Sequence, residues 1–291
     1  MMVLCAFATV MPARAALVSY TDLLARPRPA PTKVVSYGPA EQQKGELFLP
    51  AGKGPHPVAV LIHGGCWLAK LTGPEVMEPL AADLQHRDYA VWNIGYRRLG
   101  HAGGGYPGTF LDVADAMDKL REIAAGNSLD LKRVVVIGHS AGGQLALWAA
   151  ARAHLPKTSE LYRANPLRVG GVISLAGIND LEDFRAHGPG ACGEPRTIDR
   201  LAGSSTSERP DVYADISPAR LLPIGVRYAV ISSELDDIVP KRFANHFAIK
   251  ARAAHDRVQE IEISGAGHFE LIDPQSGAWK QILPEIDRLA K

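Results

Sequence analysis

The stretch from residue 134 to residue 143 constrains the fold of this chain more than any other. Its first four residues, Val-Val-Val-Ile, predict a buried strand. Two glycines, Gly138 and Gly142, then flank Ser140 in a G-x-S-x-G pattern, and the Ala- and Leu-rich residues 144–153 favour a helix. A sharp turn between a strand and a helix holds a serine hydroxyl exposed above a sheet. The pattern therefore predicts a nucleophilic Ser140, with a purely structural tight turn as the alternative.

Strand-like apolar segments alternate with helical segments from residue 58 to the end of the chain. Buried strands are predicted at 58–62, 89–94, 134–137, 169–175, 228–232 and 258–263. Helices are predicted at 74–87, 110–125, 144–153, 241–254 and 278–289. Such alternation is typical of an α/β domain with a mostly parallel sheet and helices on both faces. A chain of 291 residues with 46% hydrophobic content can form one such domain.

The same patterns divide the chain into segments. Residues 45–291 are predicted to form one domain. Within it, residues 177–218 have little periodicity and many Gly, Pro and Ser residues, which predicts a small cap-like insertion near a site. Residues 16–44 are predicted to be an extended N-terminal segment, because 25–31 is rich in proline.

Residues 1–15 resemble the back half of a secretory signal peptide. They are mostly apolar and end in an A-x-A-like Ala-Arg-Ala sequence, but no positively charged region precedes them. A truncated signal peptide implies a periplasmic or secreted protein; the alternative is a short apolar helix of a cytoplasmic protein. In an exported protein Cys66 and Cys192 can pair, although the sequence does not show whether they lie close together.

Charge and composition exclude several classes of partner. Lys and Arg number 32 against 31 Asp and Glu, without a basic cluster, so no nucleic-acid partner is expected. No apolar run reaches the roughly 20 residues of a membrane-spanning helix, so no membrane partner is expected. No cysteine or histidine spacing suggests a zinc site. We expect neither a metal nor an organic cofactor, and the oligomeric state stays open.

A nucleophilic serine needs a base, and the base needs a carboxylate to orient it. In an open α/β sheet such groups gather at the carboxyl ends of the strands. His268 follows the last predicted strand in a glycine-rich loop, so it is the predicted base; capping of that loop is the alternative. Asp236 and Asp237 both follow strand 228–232, and only one of them can face His268.

Backbone amides must also stabilise the oxygen that becomes negative during acyl transfer. The amide of Ala141, directly after Ser140, is one predicted donor. Gly65 and Cys66 follow the strand at 58–62 and can supply further amides, since the Gly-Gly pair lets the backbone approach a bound group closely. A plain turn after a buried strand is the alternative.

Four motifs together resemble the α/β-hydrolase superfamily, in its esterase/lipase-like branch. They are His-Gly-Gly-Cys-Trp at 63–67, Gly-His-Ser-Ala-Gly-Gly at 138–143, Asp-Asp-Ile-Val-Pro at 236–240 and Gly-His-Phe at 267–269. The resemblance covers about residues 45–285, and its order of Ser, Asp and His is that of the superfamily. In this branch the acid commonly stands four residues before the proline, which implies Asp236. The chain departs from the pattern at 232–234, where Ser-Ser-Glu replaces His-Gly-Asp, and at Cys66.

The residues around the predicted site also suggest how substrate binds. Four aromatic side chains are predicted to form an apolar wall at the site: Trp67, Tyr96, Tyr106 and Phe269. The loop at 95–108 also carries three basic residues: Arg97, Arg98 and His101. These three residues either meet a carboxylate of the substrate or brace their own loop.

The resemblance implies a serine hydrolase that cleaves small-to-medium carboxylic esters through an acyl-enzyme. Ser140 would attack, His268 would transfer the proton and Asp236 would orient His268. Relatives with this oxyanion motif include carboxylesterases, feruloyl- and acetyl-xylan-type esterases, and arylformamidases that act on N-formylkynurenine. An arylformamidase-type amide hydrolase is therefore one alternative, and a hydrolase-fold binding protein without catalysis is another.

Overall fold

A computed structural model describes residues 16–291 of the protein, so the predicted signal peptide at 1–15 lies outside the described residues. The strands are β1 (Lys33–Ser36), β2 (Lys44–Phe48), β3 (His56–Ile62), β4 (Ala90–Ile94), β5 (Leu129–His139), β6 (Gly171–Leu175), β7 (Arg227–Ser233) and β8 (Val258–Ile263). The helices are α1 (Tyr20–Leu24), α2 (Glu78–His86), α3 (Gly108–Ile123), α4 (Ala141–Ala151), α5 (Leu181–His187), α6 (Arg196–Ala202), α7 (Arg242–Ala253) and α8 (Gly277–Leu289). None of these helices is long and apolar enough to cross a membrane.

The eight strands form one sheet in the order β1-β2-β4-β3-β5-β6-β7-β8. The first two are antiparallel to their neighbours, and the pairs from β4 to β8 are parallel. Every residue of β4 and β6 is buried. Because successive side chains of a strand point to opposite faces, both faces of the sheet are covered. The predicted mostly parallel α/β architecture is therefore confirmed.

The parallel strands all end at one side of the sheet, which we call its carboxyl edge, and all start at the opposite side. These two sides have different roles. Residues 63–67, 140, 234–240 and 264–269 follow the carboxyl ends of β3, β5, β7 and β8, so they lie at the same edge. The last turn of α8 lies at the other edge, where a Cβ on Gly171 at the start of β6 would come 2.9 Å from Leu289 Cβ. The predicted site residues therefore share one edge, and the end of the chain lies near the other.

The N-terminal segment differs from the prediction that residues 16–44 are extended. Residues 20–24 form α1, which Ser19 caps by accepting a hydrogen bond from the Asp22 amide at 3.1 Å. Strand β1 pairs with β2, with Val34 opposite Glu46, so the sheet begins before residue 45. Both elements are short and β1 is mostly exposed, which leaves little apolar periodicity to detect. The prediction holds for the proline-rich part, 27–31, which contains neither helix nor strand.

Residues 177–218 lie between β6 and β7 and contain α5 and α6. Each of these helices has seven residues, too few to give a clear helical period. Asp180 caps α5 by accepting hydrogen bonds from the amides of Glu182 and Asp183. The segment predicted to be a cap-like insertion thus contains two short helices.

Candidate active site

Ser140 lies in a strained turn between β5 and α4. Its φ of 55° and ψ of −120° are outside the helical and extended regions. A Cβ on Gly138 would come 2.0 Å from the carbonyl oxygen of Gly142, and one on Gly142 would come 2.0 Å from that of Ile62. Only glycine fits at these two positions, and together they let the backbone reverse and bring Ser140 to the sheet edge.

Asp236 and His268 form a buried hydrogen bond at the same edge. His268 Nδ1 lies 2.7 Å from Asp236 Oδ2. A carboxylate can only accept, so Nδ1 carries the proton and Nε2 of the neutral ring keeps its lone pair. The other carboxylate oxygen accepts hydrogen bonds from the amides of Ile238 and Val239, at 2.9 and 2.8 Å. Asp237 is exposed, so the structure brings Asp236 and not its neighbour to His268.

The Ser-Ser-Glu sequence at 232–234 ties the acid loop to the histidine loop. Ser233 Oγ donates to the carbonyl oxygen of Gly267 at 2.7 Å, and Glu234 accepts from the Gly265 amide at 2.8 Å. The Leu235 amide donates to the carbonyl oxygen of Ala266 at 2.9 Å. These bonds hold the loops of Asp236 and His268 in register, although the sequence departs here from the common pattern.

His139 supports His268 from the side of the serine turn. The two imidazole rings lie 4.4 Å apart, and His139 Nε2 donates to the backbone carbonyl of His268 at 3.1 Å. Burial, with a smaller contribution from the neighbouring His268, lowers the pKa of His139 well below its usual value. His139 is therefore a neutral hydrogen-bond donor that positions the backbone of the predicted base.

Several backbone amides of the serine turn and of the loop after β3 have no acceptor among the described residues. Those of the predicted donors Gly65, Cys66 and Ala141 are among them. Gly65 and Cys66 have φ values of 97° and 51°, and a Cβ on the preceding Gly64 would come 3.0 Å from Ser140 Cβ. The loop after β3 therefore lies directly against the serine turn. The Ala141 amide opens α4, where unpaired N–H groups favour negative charge.

A disulfide joins this loop to the 177–218 segment. Cys66 and Cys192 are bonded, with their Cα atoms 5.3 Å apart, which answers the question that the sequence left open. Ala191, next to Cys192, lines the same pocket as Ser140. The bond thus attaches one wall of the pocket to the loop that carries the Gly65 and Cys66 amides.

The pocket above Ser140 is small and mostly apolar. It has a volume of about 210 Å³. His268, Gly65 and Cys66 contribute to its walls together with Ser140. Its apolar lining consists of Tyr20, Leu71, Val76, Ala191, Ile238, Phe269 and Ile272. Of the four aromatic residues predicted to form the wall, the structure brings only Phe269 to this pocket.

The other three predicted wall residues lie elsewhere. Trp67 is fully buried and donates from Nε1 to the side-chain oxygen of Gln144 at 3.2 Å. Tyr96 stacks on His63, with ring centroids 4.4 Å apart, and donates to the carbonyl of His63 at 2.8 Å. Tyr106 lines a different cavity. The loops that carry Trp67, Tyr96 and Tyr106 place these three rings outside the Ser140 pocket. The prediction that they form the substrate wall is therefore wrong.

The basic residues at 97–101 brace their loop. Arg97 forms two hydrogen bonds of 2.8 and 2.7 Å with the buried carboxylate of Asp112. Arg98 donates to the backbone carbonyls of Leu71 and Thr72 at 2.7 and 3.0 Å. Of the two roles considered for these arginines, bracing agrees with the structure. Within residues 16–291, no three His, Cys, Asp or Glu side chains are grouped to hold a metal ion.

Tyr20 is a pocket residue that the sequence analysis missed. Its ring packs 5.5 Å from that of Phe269, and its hydroxyl accepts a hydrogen bond from the Thr72 amide at 2.9 Å. The signal that was available is the S-x-x-D cap at Ser19 and Asp22, which starts α1. It predicts a helix start but gives no indication of what the helix packs against.

The sheet, the serine turn and the residues gathered at its carboxyl edge define the α/β-hydrolase fold class. The BD-FAE family model matches residues 46–250. Because this match covers more than half of the chain, the protein belongs to the BD-FAE family, an α/β-hydrolase-like family of esterases. It is therefore a carboxylic ester hydrolase.

Solved structures with the same fold are also esterases by name. A truncated carbohydrate esterase from gut microbiota is 21% identical, with a TM-score of 0.72 over 91% of this chain and 99% of its own. Esterase B from Lactobacillus rhamnosis is 18% identical, with a TM-score of 0.75 over 91% of this chain and 88% of its own.

A bifunctional GH43-CE protein from Bacteroides eggerthii is 24% identical, with a TM-score of 0.71 over 88% of this chain. The match covers 35% of that longer protein, so the present chain corresponds to about a third of it. At these identities the three structures establish a shared fold. No curated protein sequence matches the chain significantly.

Proposed function

We propose that the protein hydrolyses small-to-medium carboxylic esters through an acyl-enzyme on Ser140, with His268 as base and Asp236 as the acid that orients it. The observation that carries this proposal is the buried 2.7 Å hydrogen bond between Asp236 and His268, whose ring lines the same pocket as Ser140. A serine alone is a weak nucleophile, and this arrangement supplies the base and the orientation that it needs.

The reaction follows from the positions of the donors and acceptors. His268 Nε2 takes the hydroxyl proton while Ser140 Oγ attacks the carbonyl carbon. The carbonyl oxygen becomes an oxyanion, which the amides of Gly65, Cys66 and Ala141 stabilise. The tetrahedral intermediate then releases the alcohol, which receives the proton from His268, and leaves an acyl-enzyme. Water repeats the same steps, releases the carboxylic acid and restores Ser140.

The pocket supports a short apolar acyl group as the preferred part of the substrate. Its volume of about 210 Å³ and its aliphatic and aromatic lining suit such a group better than a charged one. One similar structure is named as a carbohydrate esterase, which supports a sugar hydroxyl as the alcohol. The substrate class proposed here is therefore a short-chain ester of a saccharide.

The test compares wild-type protein with Ser140→Ala on acetate and butyrate esters, with N-formylkynurenine alongside. The variant should lose about 10³- to 10⁶-fold in kcat while its circular dichroism spectrum stays unchanged. A fluorophosphonate probe should label wild-type protein on Ser140 and leave the variant unlabelled. Wild-type protein that neither takes the probe nor cleaves an ester would instead be a binding protein, and faster cleavage of the formamide would favour the amide hydrolase.

The disulfide supports export as the proposed location. Disulfides persist mainly in secreted and periplasmic proteins, since the cytosol keeps thiols reduced. The Cys66–Cys192 bond joins residues 126 positions apart and is buried at both ends. A periplasmic or secreted protein is the location that agrees with this bond.

A further inference from the structure

A second cavity adjoins the Ser140 pocket. It has a volume of about 1220 Å³ and is formed by residues from 68–71, 99–101 and 190–200; we refer to it as the basic groove. Cys66, Leu71 and Ala191 line both cavities. The disulfide loop that carries the proposed oxyanion amides is therefore a wall shared by the pocket and the basic groove.

The groove presents an excess of positive charge. Lys70, Arg196 and Arg200 line it, all three are exposed, and none forms an ion pair with a described residue. Elsewhere, buried or half-buried carboxylates neutralise arginines such as Arg97 and Arg152. The three groove cations are therefore available to an anion from solution.

The remaining titratable groups of the groove do not cancel this charge. Glu194 is its acidic lining residue, and its two oxygens accept hydrogen bonds from the amides of Gly190 and Cys192 at 2.7 and 3.0 Å. His101 also lines the groove, but burial and the charge of Arg98 lower its pKa, so it is neutral at pH 7. The groove therefore carries three cations and one carboxylate, and that carboxylate already accepts hydrogen bonds from backbone amides.

We propose that the basic groove binds a carboxylate on the alcohol part of the ester, so that the preferred substrates are short-chain esters of acidic saccharides. This inference rests on the proposed function. In this arrangement the acyl group fills the apolar pocket. The alcohol part of the ester extends from Ser140 past the loop at Cys66 and into the basic groove. Guanidinium groups bind carboxylates through paired hydrogen bonds, and a long lysine adds a mobile point charge.

A matched pair of substrates tests the proposal: acetylated glucuronic acid and acetylated glucose, which share the acetyl group and the sugar ring and differ in one carboxylate. Wild-type protein should give a kcat/KM about 5- to 10-fold higher for the acidic sugar at low salt, since each exposed charge pair contributes modestly. The preference should disappear near 1 M salt, where the screening length is about 3 Å.

Charge reversal locates the effect. The triple variant Lys70→Glu, Arg196→Glu and Arg200→Glu should bring the kcat/KM ratio of the two substrates to one or below, mainly through KM. The control Arg257→Glu reverses one charge at an exposed residue before β8, at the amino ends of the parallel strands, and should keep the wild-type ratio, whereas each single reversal in the groove should lower it. A milder triple variant with Gln at the three groove positions guards against a folding defect.

The outcomes separate this inference from the proposed function. Cleavage of both sugars by wild-type protein at equal efficiency overturns the basic groove and leaves the esterase proposal standing. A preference that survives the triple charge reversal also overturns it. Cleavage of neither sugar, combined with no cleavage of simple acetate esters, removes the proposed function and this inference together.

Discussion

The carboxylate of Asp236 is held on both sides, by His268 through one oxygen and by the amides of Ile238 and Val239 through the other. In an Asp236→Asn variant the side chain should keep its position. It should lose the negative charge that holds the proton of the His268 ring on Nδ1. We expect kcat to fall about 10⁴-fold on a short-chain ester. The adjacent Asp237→Asn change is the matched control and should leave kcat near the wild-type value, since Asp237 is exposed. Equal losses in the two variants would contradict the assignment.

The positions of Ser140, Asp236 and His268 were predictable because each lies in the short loop or turn that follows a predicted strand. A strand end fixes where the next few residues lie, so three predicted strands were enough to bring these side chains to one edge; their catalytic roles stay predictions. Trp67 was not predictable in this way. It has a φ of 55°, and a positive φ turns a side chain in a direction that its neighbours in sequence do not reveal. The fold then buries the Trp67 ring against Gln144.

At the scale of whole elements, α1 and its flanks cross the mouth of the candidate site. The Val18 amide donates to Glu270 at 2.6 Å, Leu23 is buried, and Arg26 pairs with Asp273 at 2.6 Å. We call residues 17–26 the N-terminal strap. Tyr20 projects from it into the Ser140 pocket. The strap is held at three points along its length, so Tyr20 forms a fixed wall.

Shortening this wall should change which acyl groups fit. In Tyr20→Ala the pocket opens beside Phe269, and the kcat/KM ratio of octanoate to butyrate esters should rise by about tenfold or more, since each extra methylene is worth about that much in an apolar pocket. Tyr20→Phe keeps the ring and removes only the acceptor of the Thr72 amide. It should keep the wild-type ratio. An unchanged chain-length profile in the alanine variant would show that Tyr20 does not limit the acyl group.

Central strands such as β6 and β7 were predictable to within a few residues, and β8 was predicted with its observed bounds, whereas the edge strand β1 was not predicted. Strands such as β6 and β7 are apolar runs buried on both faces, which gives the strongest signal available in a sequence. Strand β1 has three exposed residues among its four, so it contains no apolar run to detect. Its place in the sheet depends on pairing with β2, a contact that local sequence does not encode.

For the molecule as a whole, the Cys66–Cys192 bond closes a loop of 126 residues. Closing a loop of this length restricts the unfolded chain, which predicts a loss of about 4 to 5 kcal/mol of stability in the double variant Cys66→Ser, Cys192→Ser. Activity should fall as well, because the loop that carries the proposed oxyanion amides of Gly65 and Cys66 is no longer bonded to Cys192. Urea unfolding monitored by tryptophan fluorescence measures the first effect, and ester turnover measures the second.

Reducing agent provides the control for that experiment. Dithiothreitol should lower the urea midpoint of wild-type protein toward that of the double variant and leave the double variant unchanged. Coincident unfolding curves for oxidised wild type and the double variant would contradict the stabilising role of the bond.

The placement of α8 has a practical consequence for using the protein as an immobilised catalyst. Its last turn packs on Gly171 at the amino ends of the strands, while the Ser140 pocket opens at their carboxyl ends. A linker attached after Lys291 would anchor the molecule with its pocket facing the solution. A bulky carrier attached near Val18 would instead stand two residues from Tyr20, which lines the Ser140 pocket, and would obstruct polymeric substrates. The choice of attachment end thus sets the orientation of the catalyst on a surface.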